Sequence, residues 1–424
     1  MPLPSSCPIE FACVPEHLVA DAIELLIAVF TYAESLADVI PEMDEYIKFV
    51  IMFMASPNYI RNSYIRQRMV ESWVCVSATE VITILEGSQL CLEFLVRNLL
   101  ELYAGKEVIG SPNKLQFRKS ILEILGCLWE IPSHRDAWRQ IAEEDTAFYV
   151  VFLNAVINEN IKLLDNDFHR ILEETEDEMS STEDMEHVPS LWMQESALDF
   201  QFDKDMIGGC MSYITASVGM LAFTSEQIIV PFLLPHMVDT VVTMLNCYLS
   251  HFRSFHIKTS VSRRSMECGY CLEILLKQIV SIYVHLARGD SENILAAAIS
   301  KDGKSCIKQL FIDVGRVLQE DSLVPEFIAL GTRVNDAALR AVQTEVSLGD
   351  IPNDFLDPIE FNLMEDPVIL PSMKSVDRAV IQRHLLNYST DPFNGLPLAQ
   401  EMLIPNVELK VKIKKFIISK QCQE

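Results

Sequence analysis

The sequence predicts a mainly α-helical body followed by a small α/β module near its C-terminal end. Three observations carry that prediction. Twelve of the 19 prolines fall within residues 2–325 and seven crowd into 352–405, so a proline-poor region precedes a short loop-rich one. In CLEILLKQIVSIYVHLA, residues Leu272, Leu275, Leu276, Ile279, Tyr283 and Leu286 recur at three- and four-residue steps, tracing one helix face. YAESLADVI and VDTVVTMLNCYLSHF behave alike, whereas alternating strand patterns are scarce and no clean repeat is present. Successive helices without alternating strands predict a bundle or an irregular α-solenoid.

Composition narrows the class. A chain of 424 residues, half of them apolar, has room for two or three domains. Its 34 basic and 60 acidic residues give a net charge of −26, which repels a phosphate backbone and argues against nucleic acid as a partner. Eleven cysteines without framework spacing predict reduced thiols in the cytoplasm or nucleus. The start MPLPSSCPIEFACVPEH lacks the basic region and apolar core of a signal peptide. No uncharged run reaches membrane-spanning length, and the candidate at 22–31 is short and carries Glu24, so no membrane partner is expected.

The helical body is assigned to 1–345. Within it, EETEDEMSSTEDME at 173–186 holds almost no large apolar group, and an acidic loop is expected over about 173–188.

Several look-alike sites fail. Cys268 and Cys271 match a redox C-x-x-C, but no strand signal precedes them to set a reactive thiol at a helix N-terminus. Nor does a second Cys or His pair follow at zinc-site spacing. Asp302-Gly303-Lys304-Ser305 resembles the end of a phosphate loop, yet Ala298 stands where that loop needs glycine. His251 and His256 receive no ligand role.

The module is assigned to 351–424. In DPIEFNLMEDPVILPS, Pro358 and Pro367 bracket a segment expected to be an ordered loop. Val368, Ile369 and Leu370 then fit a short strand, and Ser375 and Val376 its return. Asp377 sits at a helix N-cap, with Val380, Ile381, His384 and Leu385 on one face behind it. Asp391-Pro392 and Asn394-Gly395 mark a second loop. Asn406 caps a final helix that places Leu409, Ile413, Phe416 and Ile417 together. Modules this small usually need a metal or a disulfide. Residues 351–420 contain one histidine and no cysteine, so no metal or cofactor is expected and a polar scaffold of Asp377, Arg378 and Asp391 is predicted instead.

With those residues in view, the motifs DPI, LM-DPV-LPS, DR, HL and DPFN-x-x-PL resemble a U-box, the zinc-free relative of the RING finger. FMASPNYIRNSYIRQRMVE, LWEIPSHRDAW, NAVINENIKLLDNDF, PFLLPHMVDTVVTMLN and LLKQIVSIYVHL are similar to the core of the ubiquitin conjugation factor E4 family. The resemblance implies an elongated, armadillo-like α-solenoid ending in a U-box. It also implies a ubiquitin ligase or chain-elongation factor without a nucleophile of its own, recruiting a ubiquitin-charged conjugating enzyme. Ile359 and Phe361 match first-loop contacts to that enzyme, and Leu396 and Pro397 match the second loop. Ubiquitin, ubiquitylated substrates and the AAA segregase valosin-containing protein are the further partners implied. Family members are typically longer at the N-terminus, so partner sites for ubiquitin-receptor shuttles are not carried over.

One departure matters. The family usually has arginine after DPFN, positioned to bridge the conjugating enzyme and its ubiquitin, and this chain has Gly395. A weaker activating effect is expected unless Lys374 or Arg383 supplies the donor. The competing expectation is a non-catalytic solenoid scaffold with a degenerate U-box.

Overall fold

The computed structural model describes residues 3–4, 6–32, 40–74, 85–86, 88–105, 114–164, 192–259, 266–301, 307–318 and 321–421. The acidic stretch at 173–188 and the residues Asp302 and Ser305 of the phosphate-loop look-alike lie outside them. Contacts divide the chain into two units, Met1–Ile228 with Arg264–Gln278, and Ile229–Arg263 with Ile279–Glu424.

The first unit is helical: α1 (Ile9–Ala12), α2 (Glu16–Tyr32), α3 (Ile40–Met54), α4 (Ser63–Val74), α5 (Val96–Ala104), α6 (Lys114–Glu130), α7 (Pro132–Glu144), α8 (Thr146–Leu163) and α9 (Trp192–Ser225). A π-helical turn, Cys91–Leu95, leads into α5. α6 shows how sequence sets packing. Phe117, Ile121, Leu125 and Leu128 recur at helical spacing and are buried, and α6 packs against α4 and α9. Among these apolar groups sits a buried charge pair. Arg118 Nη1 donates to Glu159 Oε2 of α8 at 2.7 Å, and Lys114 pairs with the same carboxylate. Pro132 opens α7, where its missing N–H leaves no helix bond unmade. Asp145 caps α8 by accepting from the Phe148 N–H at 3.3 Å.

The second unit begins with α10 (Val230–Leu233) and α11 (Val238–Thr259). The division between units passes within α12 (Met266–Gly289), whose backbone is helical through Cys268 and Cys271. Of the predicted stripe, Leu275, Leu276, Ile279, Tyr283 and Leu286 are all buried, and the Leu272 side chain lies outside those described. α13 (Ile294–Lys301), α14 (Ile307–Val317) and α15 (Val324–Leu348) complete the helical part. The Tyr283 ring lies against Phe311 and Phe327, which stack with centroids 4.3 Å apart. Its hydroxyl donates to Asn246 Oδ1 at 2.6 Å, so the buried phenol is satisfied. Among the described residues no helix is long and apolar enough to cross a membrane.

Gly349, at φ 60°, ends α15, and the small α/β module follows in the same unit. Its elements are β1 (Pro367–Ile369), β2 (Ser375–Asp377), α16 (Arg378–Leu385), β3 (Ile404–Pro405) and α17 (Val407–Gln421). The sheet order is β2-β1-β3, antiparallel throughout, with Val368 opposite both Val376 and Pro405. Val368, Leu370, Val376, Ile381, Leu398 and Leu403 form its core, joined by Leu385. Each such burial is worth roughly 1.5–3 kcal/mol, which lets so small a module cohere around a handful of side chains. The strand begins at Pro367, a position where proline is tolerated because it opens the strand. β3 was not foreseen: two residues containing a proline carry no strand signal, and their pairing to β1 comes from tertiary placement.

Candidate functional site

The module's two loops are built alike. Each opens on Asp-Pro, and each opening aspartate is 1% exposed. In the first loop the Asp357 N–H donates to the Asn362 carbonyl, and the Phe361 N–H donates back to the Asp357 carbonyl, both at 2.8 Å. In the second, the Asp391 N–H donates to the Leu396 carbonyl and the Gly395 N–H donates to the Asp391 carbonyl, again at 2.8 Å. A bridge closes each base, Leu356 with Leu363 and Thr390 with Pro397. The fifth residue of each loop is left-handed, Phe361 at φ 59° and Gly395 at φ 71°.

The two carboxylates extend the likeness. Asp357 Oδ1 accepts from the Ile359 and Glu360 N–H groups at 2.8 and 2.9 Å. Asp391 Oδ1 accepts from the Phe393 N–H at 2.9 Å. Each second oxygen reaches the β1–β2 hairpin, at opposite ends. Asp357 Oδ2 takes the Asp377 N–H at 2.6 Å, and Asp391 Oδ2 takes the Ser372 N–H in the turn at 3.1 Å. Bonds from several N–H groups to one ionised carboxylate are among the stronger neutral-to-charged hydrogen bonds. Burial pushes the Asp391 carboxyl up, but the N–H bonds from Phe393 and Ser372 outweigh it and hold it below its ordinary value.

The predicted scaffold residues serve different tasks. Asp377 caps α16 through the Ala379 N–H at 3.1 Å, and its other oxygen accepts from Glu365 and Asp366 at 2.6 and 3.0 Å. Arg378 donates from Nε to Asp366 Oδ2 at 2.6 Å, and Lys410 of α17 pairs with the other oxygen of Asp366. Hydrogen bonds from Lys410 and Arg378 lower the Asp366 carboxyl. Asn406 Oδ1 accepts from the Leu409 N–H at 3.1 Å, capping α17. His384 Nε2 donates to the Thr390 carbonyl at 2.8 Å, tying α16 to the second loop. Among the described residues no group of three or more His, Cys, Asp or Glu side chains could hold a metal.

Two scaffold residues escaped the sequence reading, Asp357 and Asp366. A signal for them exists: Asp-Pro occurs three times in the module, at 357, 366 and 391, and the sequence assigns a scaffold role only to the last.

The frame leaves an apolar rim. Ile359 is 39% exposed, Phe361 73% and Leu396 59%, and Pro397 is also exposed. Ile359 and Phe361 share the first loop, Leu396 and Pro397 the second. Phe361 is therefore no core residue. Around Gly395 an added Cβ would meet nothing within 4 Å, so the position is sterically open and restricted only by its backbone. Of the two alternative donors, Lys374 is exposed in the β1–β2 turn. Arg383 is engaged elsewhere, with Glu360 and with Asp239.

The chain matches the model of the ubiquitin elongating factor core over residues 1–334 and that of the U-box domain over residues 351–422. It is similar to a probable ubiquitin conjugation factor E4 of Arabidopsis thaliana, with 46% identity over 442 residues, covering 100% of this chain and 42% of the relative. A ubiquitin conjugation factor E4 A of Bos taurus is 27% identical over 448 residues, covering 97% of this chain and 41% of the relative. An E4 ubiquitin-protein ligase of Saccharomyces cerevisiae is 26% identical over 441 residues, covering 98% and 45%. The chain thus spans less than half the length of these curated relatives.

Proposed function

The chain belongs to the ubiquitin conjugation factor E4 family, and from that premise we propose that it acts as a ubiquitin ligase and chain-elongation factor whose U-box grips a ubiquitin-charged conjugating enzyme. The observation that carries this reading is the pair of carboxylate-framed loops holding Ile359, Phe361, Leu396 and Pro397 outward on a fixed backbone. Apolar side chains on a rigid, pre-ordered loop lose little freedom on binding, which favours a docking role.

The proposed chemistry requires no nucleophile from this chain. The conjugating enzyme carries ubiquitin as a thioester, and an acceptor lysine attacks its carbonyl carbon. A C–N bond forms, the C–S bond breaks, and the sulfur leaves as the enzyme's thiolate while the lysine proton passes to solvent or base. The U-box contributes proximity and orientation, which can remove several kcal/mol of the barrier. The helical body acts as the docking surface for ubiquitylated substrates and the valosin-containing segregase, in the cytoplasm and nucleus.

Gly395 supports a second reading, a non-catalytic scaffold with a degenerate U-box that binds weakly or not at all. With no side chain at that loop tip, this position offers no side-chain donor to a bound ubiquitin. An in vitro ubiquitylation assay across a panel of conjugating enzymes separates the two. Chains that form with wild type, vanish with Ile359→Ala and increase with Gly395→Arg are expected for the ligase. A wild type inactive with every enzyme, and not rescued by Gly395→Arg, is the scaffold's result.

A further inference from the structure

We propose that Asp239, Arg383 and Glu360 form a strut through which the helical body positions the first U-box loop, so that a residue outside the module tunes engagement of the conjugating enzyme. The proposal rests on the docking reading above. Arg383 lies in the last turn of α16, and its Nη1 donates to Asp239 Oδ2 at 3.1 Å. Its other terminal nitrogen pairs with Glu360, the residue between Ile359 and Phe361.

Three features make this a positioning device. A guanidinium is planar with donors on several edges, so one side chain can hold two carboxylates in fixed directions, which a lysine could not. Asp239 sits in the first turn of α11, where the helix end favours a negative charge and the helix fixes where that charge lies. Glu360 is held from within the module by its N–H on Asp357 and, at 3.5 Å, by Asn362 Nδ2 on one carboxylate oxygen, and from α16 by Arg383 on the other. Freeing Arg383 from Asp239 leaves the α16 anchor free to swing, and Ile359 and Phe361 lie on either side of Glu360. The three side chains are 37%, 23% and 32% exposed in the order Asp239, Arg383, Glu360, so the strut is partly screened by solvent. Its effect belongs in binding rather than in folding. The charge is also felt nearby: burial first, and then Arg383, lower the His236 imidazole just before α11.

The test uses the full chain and discharge of ubiquitin from a charged conjugating enzyme to free lysine, with Ile359→Ala alongside. Asp239→Asn is expected to raise the KM for the charged enzyme about two- to fivefold, the range a partly exposed ion pair supports. kcat and the melting temperature stay at wild-type values, Asp239→Glu restores KM, and the Asn effect shrinks at about 1 M salt. An unchanged KM for Asp239→Asn, with Ile359→Ala inactive, overturns the strut and leaves the docking reading standing. A KM shift that tracks a fall in melting temperature also overturns it, in favour of a merely structural pair. If Ile359→Ala discharges as well as wild type, or wild type does not discharge, both readings fall.

Discussion

The first and second loops of the U-box share one backbone and differ at its tip. Both begin with a buried aspartate that clamps one end of the β1–β2 hairpin, and both turn through a left-handed fifth residue. At that residue the first loop carries an exposed phenylalanine and the second a glycine. Frame and contact are therefore separable. Buried carboxylates set the shape, and the tip residue decides what the shape offers a partner. Because the tips are open, changing them should leave the fold intact; because the aspartates are buried, changing them should not.

The largest effect is expected from breaking the frame. Asp357→Ala removes a buried acceptor of three N–H groups and should cost about 2–4 kcal/mol, with loss of amide-exchange protection at Ile359, Glu360 and Asp377. Asp391→Ala, which strands the Phe393 and Ser372 N–H groups, should cost less, about 1–3 kcal/mol, and expose the hairpin turn. Equal protection in wild type and Asp357→Ala would show that the carboxylate does not hold the loop.

Exchanging the tips separates contact from stability. Phe361→Gly relieves a left-handed side chain that buries little, so stability should hold or rise by about 1 kcal/mol while conjugating-enzyme binding weakens. Gly395→Ala should do the reverse, lowering stability by about 1 kcal/mol without affecting binding. Denaturant unfolding paired with binding titrations checks both. Loss of stability in Phe361→Gly would show that Phe361 packs against the fold.

A smaller effect concerns acid. Asp366 and Asp391 are held below the ordinary carboxylate range, so their contribution is complete above the unfolded value of about 3.9 and fades as pH falls through the folded ones. Melting temperature should be level across about pH 5–7 and drop below about pH 4, with a shallower drop in Asp366→Asn. An identical acid limb in the variant would show that Asp366 carries none of the acid dependence.

Much of this was legible in the residues, and the limits are physical. Periodicity exposes a helix face because burial repeats with the turn, as Leu275, Ile279, Tyr283 and Leu286 show. Short polar caps are local, so Asp377 and Asn406 could be placed from neighbours alone. Asp357 could not, because its partners include Asp377, which is distant in sequence, and a charge that is 1% exposed contradicts the usual preference for the surface. β3 was hidden for a related reason: its pairing with β1 crosses the whole of α16 and the second loop. The link from Arg383 to Asp239 spans the boundary between body and module, where no local pattern reaches.

We propose that the exposed apolar residues of the two loops together dock a conjugating enzyme. The most direct test is isothermal titration of uncharged conjugating enzyme into the full chain, comparing wild type, Ile359→Ala and Leu396→Ala. Wild type should bind saturably and each variant at least tenfold more weakly, with both variants melting like wild type. Binding that is unchanged in both variants would contradict it.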